Sequence, residues 1–173
     1  MTSGKRVLAG MLGLLTVLSG CAGYRVGNIS GRELQGVRSV FVPTVKNETI
    51  EPGLPVMVSN EILRRFDNDG TLETLQSAQA DSELDVTIKR LERRPIRSNR
   101  RNAVLTETYE ITLVAEATFI NRKLGRKVFE NREVRGRTEY FVQNNMQEVE
   151  RQALPLAAED LANQVVSMVT EGW

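Results

Sequence analysis

The amino-acid sequence predicts an α+β fold, a two-layer sandwich in which two helices pack on one face of an about four-stranded, mostly antiparallel sheet in β-α-β-β-β-α order. Three observations carry that prediction. Residues 103–120 alternate apolar and polar side chains over a length only a long, half-buried strand accommodates. Residues 54–66 and 145–170 repeat their apolar positions at the three-to-four spacing of a helix with one buried face. The two helical runs bracket the later strands, and two helices are too few to wrap both faces of such a sheet.

Taken in chain order, residues 37–45 alternate with Val40 and Val42 on one side and Ser39 and Phe41 on the other, and Pro43 ends the strand. The first helix places Leu54, Met57, Val58, Ile62 and Phe66 on one stripe; Pro55 suits its first turn, and Gly70 can take the positive φ that stops it. Thr71 to Leu75 fits a short strand, and Ser82 to Leu91 sets Leu84, Val86 and Ile88 against Asp85, Thr87 and Lys89. In the long strand Leu105, Tyr109, Ile111, Leu113, Ala115, Ala117 and Phe119 share one parity, and a Thr/Glu series occupies the other. Asn121 to Gly125 turns the chain into a return strand over 127–141, whose poorer alternation points to a bulge or an edge position. The last run carries Met146, Val149, Ala153, Leu156, Ala157, Leu161, Val165 and Met168, with Pro155 inside it, so a bend or a second helix start is expected there.

The amino terminus divides the chain further. Lys5 and Arg6 precede an uncharged apolar run from Val7 to Leu18 and a small-residue exit, the layout of an export signal. That run is shorter than the ~20 residues a membrane-spanning helix needs. Leu18-Ser19-Gly20-Cys21 resembles the bacterial lipobox, in which the cysteine thiol is acylated and the signal is cut on its amino side. Cys21 is the only cysteine in the chain, so it has no disulfide partner, and a multiply acylated terminus there holds a protein stably to a membrane. By resemblance to the sorting rule of enteric bacteria, Ala22 in place of an aspartate directs the product to the outer membrane, on its periplasmic side. The expected organisation is a signal peptide over 1–20, a lipidated, glycine-bearing tether over 21–36 and one domain over 37–173.

Composition removes most chemistry. The chain has no histidine, and with it go the commonest general base, the commonest zinc ligand and every serine or cysteine triad. No glycine-rich phosphate loop occurs. Asp67 and Asp69 are a possible carboxylate pair but read as solvated residues of a helix-ending turn; taking Gly70 as the glycine of a calcium loop puts Arg65 and Gln76 at ligand positions, which defeats that site too. No enzyme activity, cofactor or metal is expected. The chain holds 23 basic and 22 acidic residues, and removing Lys5 and Arg6 with the signal leaves a near-neutral protein with no electrostatic case for nucleic acid.

One charge cluster stands out: Lys89, Arg90, Arg93, Arg94, Arg97, Arg100 and Arg101, relieved only by Glu92. Its middle, residues 93–99, is expected at a hairpin tip between two strands. The planar guanidinium fork binds phosphate or carboxylate bidentately, which makes Arg93, Arg94, Arg97, Arg100 and Arg101 candidate glycolipid-binding residues. A solvated basic loop fits the same composition equally well.

Several short segments resemble one family in their order and spacing. They are Cys21-Ala22-Gly23-Tyr24, the strand Val37 to Val42 leading to Asn47-Glu48-Thr49, the helix from Leu54 to Phe66, Ala80-Asp81 before Leu84 to Ile88, and the terminal helix with Leu161-Ala162. Together they look like the lipopolysaccharide-assembly lipoproteins of the LptE type. The resemblance implies an outer-membrane lipoprotein seated as a plug in an outer-membrane β-barrel translocon protein, stabilising that barrel and helping to deliver lipopolysaccharide or a related anionic glycolipid to the cell surface. The arginine density between positions 89 and 101, and Pro155, depart from typical members. A periplasmic regulatory lipoprotein that activates a cell-wall synthase is the alternative, and it would favour a longer tether.

Overall fold

The structure, a computed structural model, describes residues 34, 36–76, 79–98, 107–142 and 145–171, with Arg97, Ser98 and Glu107 described through the backbone only. The elements are β1 (Ser39–Phe41), β2 (Lys46–Asn47), α1 (Leu54–Asp69), β3 (Glu73–Thr74), β4 (Ser82–Ser98), β5 (Glu107–Asn121), β6 (Arg126–Val142) and α2 (Met146–Glu171). They form a six-stranded sheet in the order β3-β1-β4-β5-β6, with β2 also against β4. Strands β4, β5 and β6 make an antiparallel meander, whereas β1 pairs parallel with β3 and β4, and β2 parallel with β4. The α+β class is as expected; the sheet is wider and mixed, because only Ser39–Phe41 of the strand expected over 37–45 forms, ending before Pro43, and a further two-residue strand follows at Lys46–Asn47, both pairing parallel with β4.

Both helices cover one face. Leu84, Val86 and Ile88 of β4 and Ile111, Leu113, Ala115, Ala117 and Phe119 of β5 are buried against Val58, Ile62 and Phe66 of α1 and Leu161, Val165 and Val166 of α2. Gly70 ends α1 with φ 70°, and its N–H closes on the Phe66 carbonyl at 2.9 Å. Among the described residues, core packing reaches back to Leu34, inside the segment read as tether, since Leu34 and Val37 both join the buried cluster.

The second helix runs unbroken through Pro155, so the second start does not occur. Its buried face is Ala153, Ala157, Ala158, Leu161, Ala162, Val165, Val166, Met168 and Val169, while Leu156, placed on the apolar stripe by spacing, is 54% exposed. The small residues have a reason in β6. A Cβ at Gly136 would stand 2.3 Å from the Ala157 carbonyl oxygen and 2.3 Å from the Leu161 nitrogen. The helix backbone therefore lies directly on the strand, in space that only a residue without a side chain leaves open.

Asp81 ties the start of the sheet together. Its carboxylate accepts the Arg38 N–H at 2.8 Å and meets Lys123 at 3.0 Å, and its own N–H is held by the Ser39 hydroxyl. The Arg38 N–H, followed by Lys123, holds this carboxyl below the usual carboxylate range.

Two outcomes follow from these contacts. Gly136→Val should destabilise the fold by about 3 kcal/mol or more, since neither helix backbone nor strand can yield locally, and a urea midpoint shift would measure it. Asp81→Asn should cost about 1 kcal/mol at neutral pH. Because the folded carboxyl is depressed, its contribution is complete above the unfolded-state value and disappears as pH falls through the folded one, so wild type and variant should converge in acid denaturation curves.

Candidate functional site

The arginine-rich segment sits in and beyond the distal half of β4. The strand continues to Ser98, pairing with Glu107, so Arg93 and Arg94 lie inside the ladder opposite Ile111 and Glu110 and not at the tip expected over 93–99. Arg97 is opposite Thr108 in the same ladder, and Arg100 and Arg101, like Cys21, fall outside the described residues.

A bulge between Ile88 and Arg90 decides which way each side chain points. Before it, the even-numbered residues Leu84, Val86 and Ile88 face the helices; after it, the odd-numbered Leu91 and Arg93 do. Arg93 and Arg94 therefore serve opposite faces of the sheet. On the helix side, the Arg93 guanidinium donates to Glu150 of α2 at 2.6 Å and to Glu51, before α1, at 3.1 Å. The hydrogen bond to Glu150 is the largest cause holding Arg93 above the usual guanidinium range, and burial opposes it. Beside this clamp, Tyr140 stacks on Tyr109 at 5.8 Å between centroids, and its buried hydroxyl has no hydrogen-bond partner among the described residues. Burial pushes the Tyr140 hydroxyl up, and the neighbouring Glu150 adds to that.

On the open face the charges pair with one another. Arg94 meets Glu110 at 2.9 Å, Arg90 meets Glu92 at 3.1 Å and Glu133 at 3.6 Å, and Arg135 meets Glu133 at 2.7 Å. Lys89 reaches Glu48 at 2.7 Å and Glu116 at 3.8 Å. Beneath this lattice Val114, on the open face, is wholly buried with Arg90 and Arg135 as its two register neighbours, so the long basic stems roof a small apolar layer. A cleft of about 190 Å³ lined by Glu92, Arg94, Glu110, Thr112, Arg135 and Arg137 opens between these pairs. Arg137 makes no side-chain ion pair among the described residues; its backbone N–H donates to Asp160 of α2 at 2.8 Å.

Sequence reasoning found the basic residues but missed their acidic partners Glu48, Glu51 and Glu150, which lie 41, 42 and 57 positions away from them. No local spacing signals such contacts. Among the described residues, no group of three or more His, Cys, Asp or Glu could hold a metal, and no helix is long and apolar enough to cross a membrane.

Comparison with known proteins adds one family and a set of folds. The family model described as "LptE: Lipopolysaccharide-assembly" matches residues 37–169. No curated protein matches the chain. Among solved structures, lipoprotein B of Nitrosomonas europaea is 8% identical with a TM-score of 0.52, covering 79% of this chain and 84% of that one. The hypothetical protein CT253 of Chlamydia trachomatis is 11% identical with a TM-score of 0.50, covering 78% of this chain and 96% of that one. At these identities the likeness is one of fold.

The clamp on Arg93 is testable without any ligand. A double-mutant cycle of Arg93→Ala and Glu150→Ala should give a coupling energy of about 1 kcal/mol, because one partner is 16% exposed and the other 34%. Zero coupling would mean the pair does not hold α2 to β4.

Proposed function

The chain belongs to the LptE lipopolysaccharide-assembly family, and from that premise we propose that it is an outer-membrane lipoprotein subunit of a lipopolysaccharide translocon, plugging and stabilising a β-barrel partner and assisting delivery of lipopolysaccharide to the cell surface. Members of this family are non-enzymatic, outer-membrane-associated lipoproteins. The observation that carries the reading is the match across 37–169, nearly the whole folded domain. The geometry supports it in two ways.

On the open face most of the described charges, Arg137 excepted, are paired with their neighbours over a buried Thr/Val layer. Such a face suits a hydrated polar wall, such as the inside of a large barrel, and would be costly to press against lipid tails. The distal half of β4 carries Arg93 and Arg94, and the sequence beyond it adds Arg97, Arg100 and Arg101, whose guanidinium forks would fit the phosphates of an anionic glycolipid. In this reading Cys21 carries the lipid that holds the protein to the periplasmic side of the outer membrane, and Arg97, Arg100 and Arg101 meet the glycolipid ahead of Arg93 and Arg94. The latter two must first release Glu51, Glu150 and Glu110.

Purification of the tagged protein from outer membranes should bring down a β-barrel, and depletion should lower both barrel abundance and surface glycolipid. Recovery of a cell-wall synthase with no barrel would replace this reading by the regulatory one. Binding of purified lipopolysaccharide should weaken with salt and fall about fivefold per arginine as Arg97, Arg100 and Arg101 are replaced by Ala. Unchanged binding would remove the arginine end from the mechanism.

A further inference from the structure

The end of the sheet opposite the arginines has a distinct surface. The β5–β6 connection and the first two residues of β6 read Arg122-Lys123-Leu124-Gly125-Arg126-Lys127, with four cations, no acid and one large apolar residue. Leu124 is 52% exposed at its apex. The turn is held by two hydrogen bonds: Gly125, at φ 62°, donates to the Arg122 carbonyl at 3.2 Å, and the Leu124 N–H donates at 3.1 Å to the side chain of Asn121, itself fully buried. A leucine so presented loses little conformational freedom on docking.

The turn lies where the amino-terminal segment enters the domain. Lys123 donates to the Gly36 carbonyl and pairs with Asp81, and the Arg122 N–H donates to the Asp81 carbonyl at 2.9 Å. Thirteen positions separate Cys21 from Leu34, which bounds the tether at ~45 Å even when fully extended. β4 is roughly 50 Å long, so of the two ends of the sheet this one is held to the lipid.

We propose that the β5–β6 turn is a second membrane contact, in which Leu124 enters the headgroup boundary of the leaflet carrying the N-terminal lipid while Lys123, Arg126 and Lys127 engage anionic phospholipid phosphates. The inference rests on acylation of Cys21, which brings the turn to the surface. Arg126 has no side-chain partner among the described residues. Lys123 and Lys127 pair with Asp81 and Glu130, and Arg122 with Glu83; none of these acids lies on the turn. Lys123 and Lys127 have side chains 48% and 50% exposed, and ion pairs at such exposure exchange for phosphate at little cost. One exposed apolar side chain and a few cations add a weak second attachment, and next to a lipid anchor a weak one suffices to orient the domain.

Because the chain has a single native cysteine, an acylated Cys21 leaves Leu124→Cys as the only free thiol for an environment-sensitive fluorophore. The labelled, full-length lipoprotein is reconstituted in vesicles containing phosphatidylglycerol, and separately in phosphatidylcholine alone. Expected are a blue-shifted emission and quenching by a lipid-borne quencher in the anionic vesicles, lost in the neutral ones, while the same label at Val56→Cys on α1 stays in water. Arg126→Ala and Lys127→Ala should each lower the docked-to-undocked ratio about fivefold. An intact mass showing Cys21 acylated together with a water-exposed label at 124 would sink the second contact and leave the anchor standing; a bare Cys21 thiol would sink both.

Discussion

The contact of α2 with β6 at Gly136 sets the geometry of the domain. At that point the helix backbone replaces the side chain the strand lacks, with the Ala157 carbonyl and the Leu161 nitrogen in the space of a missing Cβ. Close approach of a helix to a sheet demands small residues on both sides, and α2 supplies Ala153, Ala157, Ala158 and Ala162. A thin interface of this kind gains from packing density what it gives up in side-chain area. It also holds α2 together across Pro155, since tertiary packing offsets the hydrogen bond that proline forfeits.

With the helices fixed to one face, the other face is left to polar residues, and a bulge distributes them. The register shift between Ile88 and Arg90 reverses the parity of β4, so one run of basic residues is dealt to both sides of the sheet. Arg93 becomes an internal strap between β4, α2 and the loop before α1, while Arg90 and Arg94 join a cross-strand lattice. Structural and exposed arginines therefore alternate along a few residues of chain. In the proposed function, a ligand approaching the distal end would meet guanidinium groups with different prior commitments.

The long β4–β5–β6 meander also separates two tasks. Near Ser82, Asn121 and Arg126 the sheet joins the segment leading to Cys21; near Ser98, Glu107 and Val142 it carries the arginines. Both ends are basic, so what would give the domain a direction with respect to a membrane is the proposed lipid at Cys21, on the side of the β5–β6 turn. In the proposed function, the candidate glycolipid-binding arginines then lie at the end of the sheet away from the leaflet that would hold the Cys21 lipid.

Much of this was legible in the sequence, because period and punctuation are local. The helical stripe of Leu54, Val58, Ile62 and Phe66, the stop at Gly70, the alternation of β5 and the turn before Arg126 each follow from the pitch of one element. The exclusion of histidine and thiol chemistry and the basic run after Lys89 needed only composition. Tertiary structure decided the rest. Leu156 met the helical spacing yet faces solvent, because the stripe that contacts β6 is centred on Ala157 and Leu161. The division of Arg93 from Arg94, the partners Glu51 and Glu150, and the parallel pairings of β1 and β2 depend on register between segments far apart in the chain. Sequence spacing fixes which face of an element is apolar, but only closure of the sheet brings distant charges within reach and determines which of them remain available to a ligand.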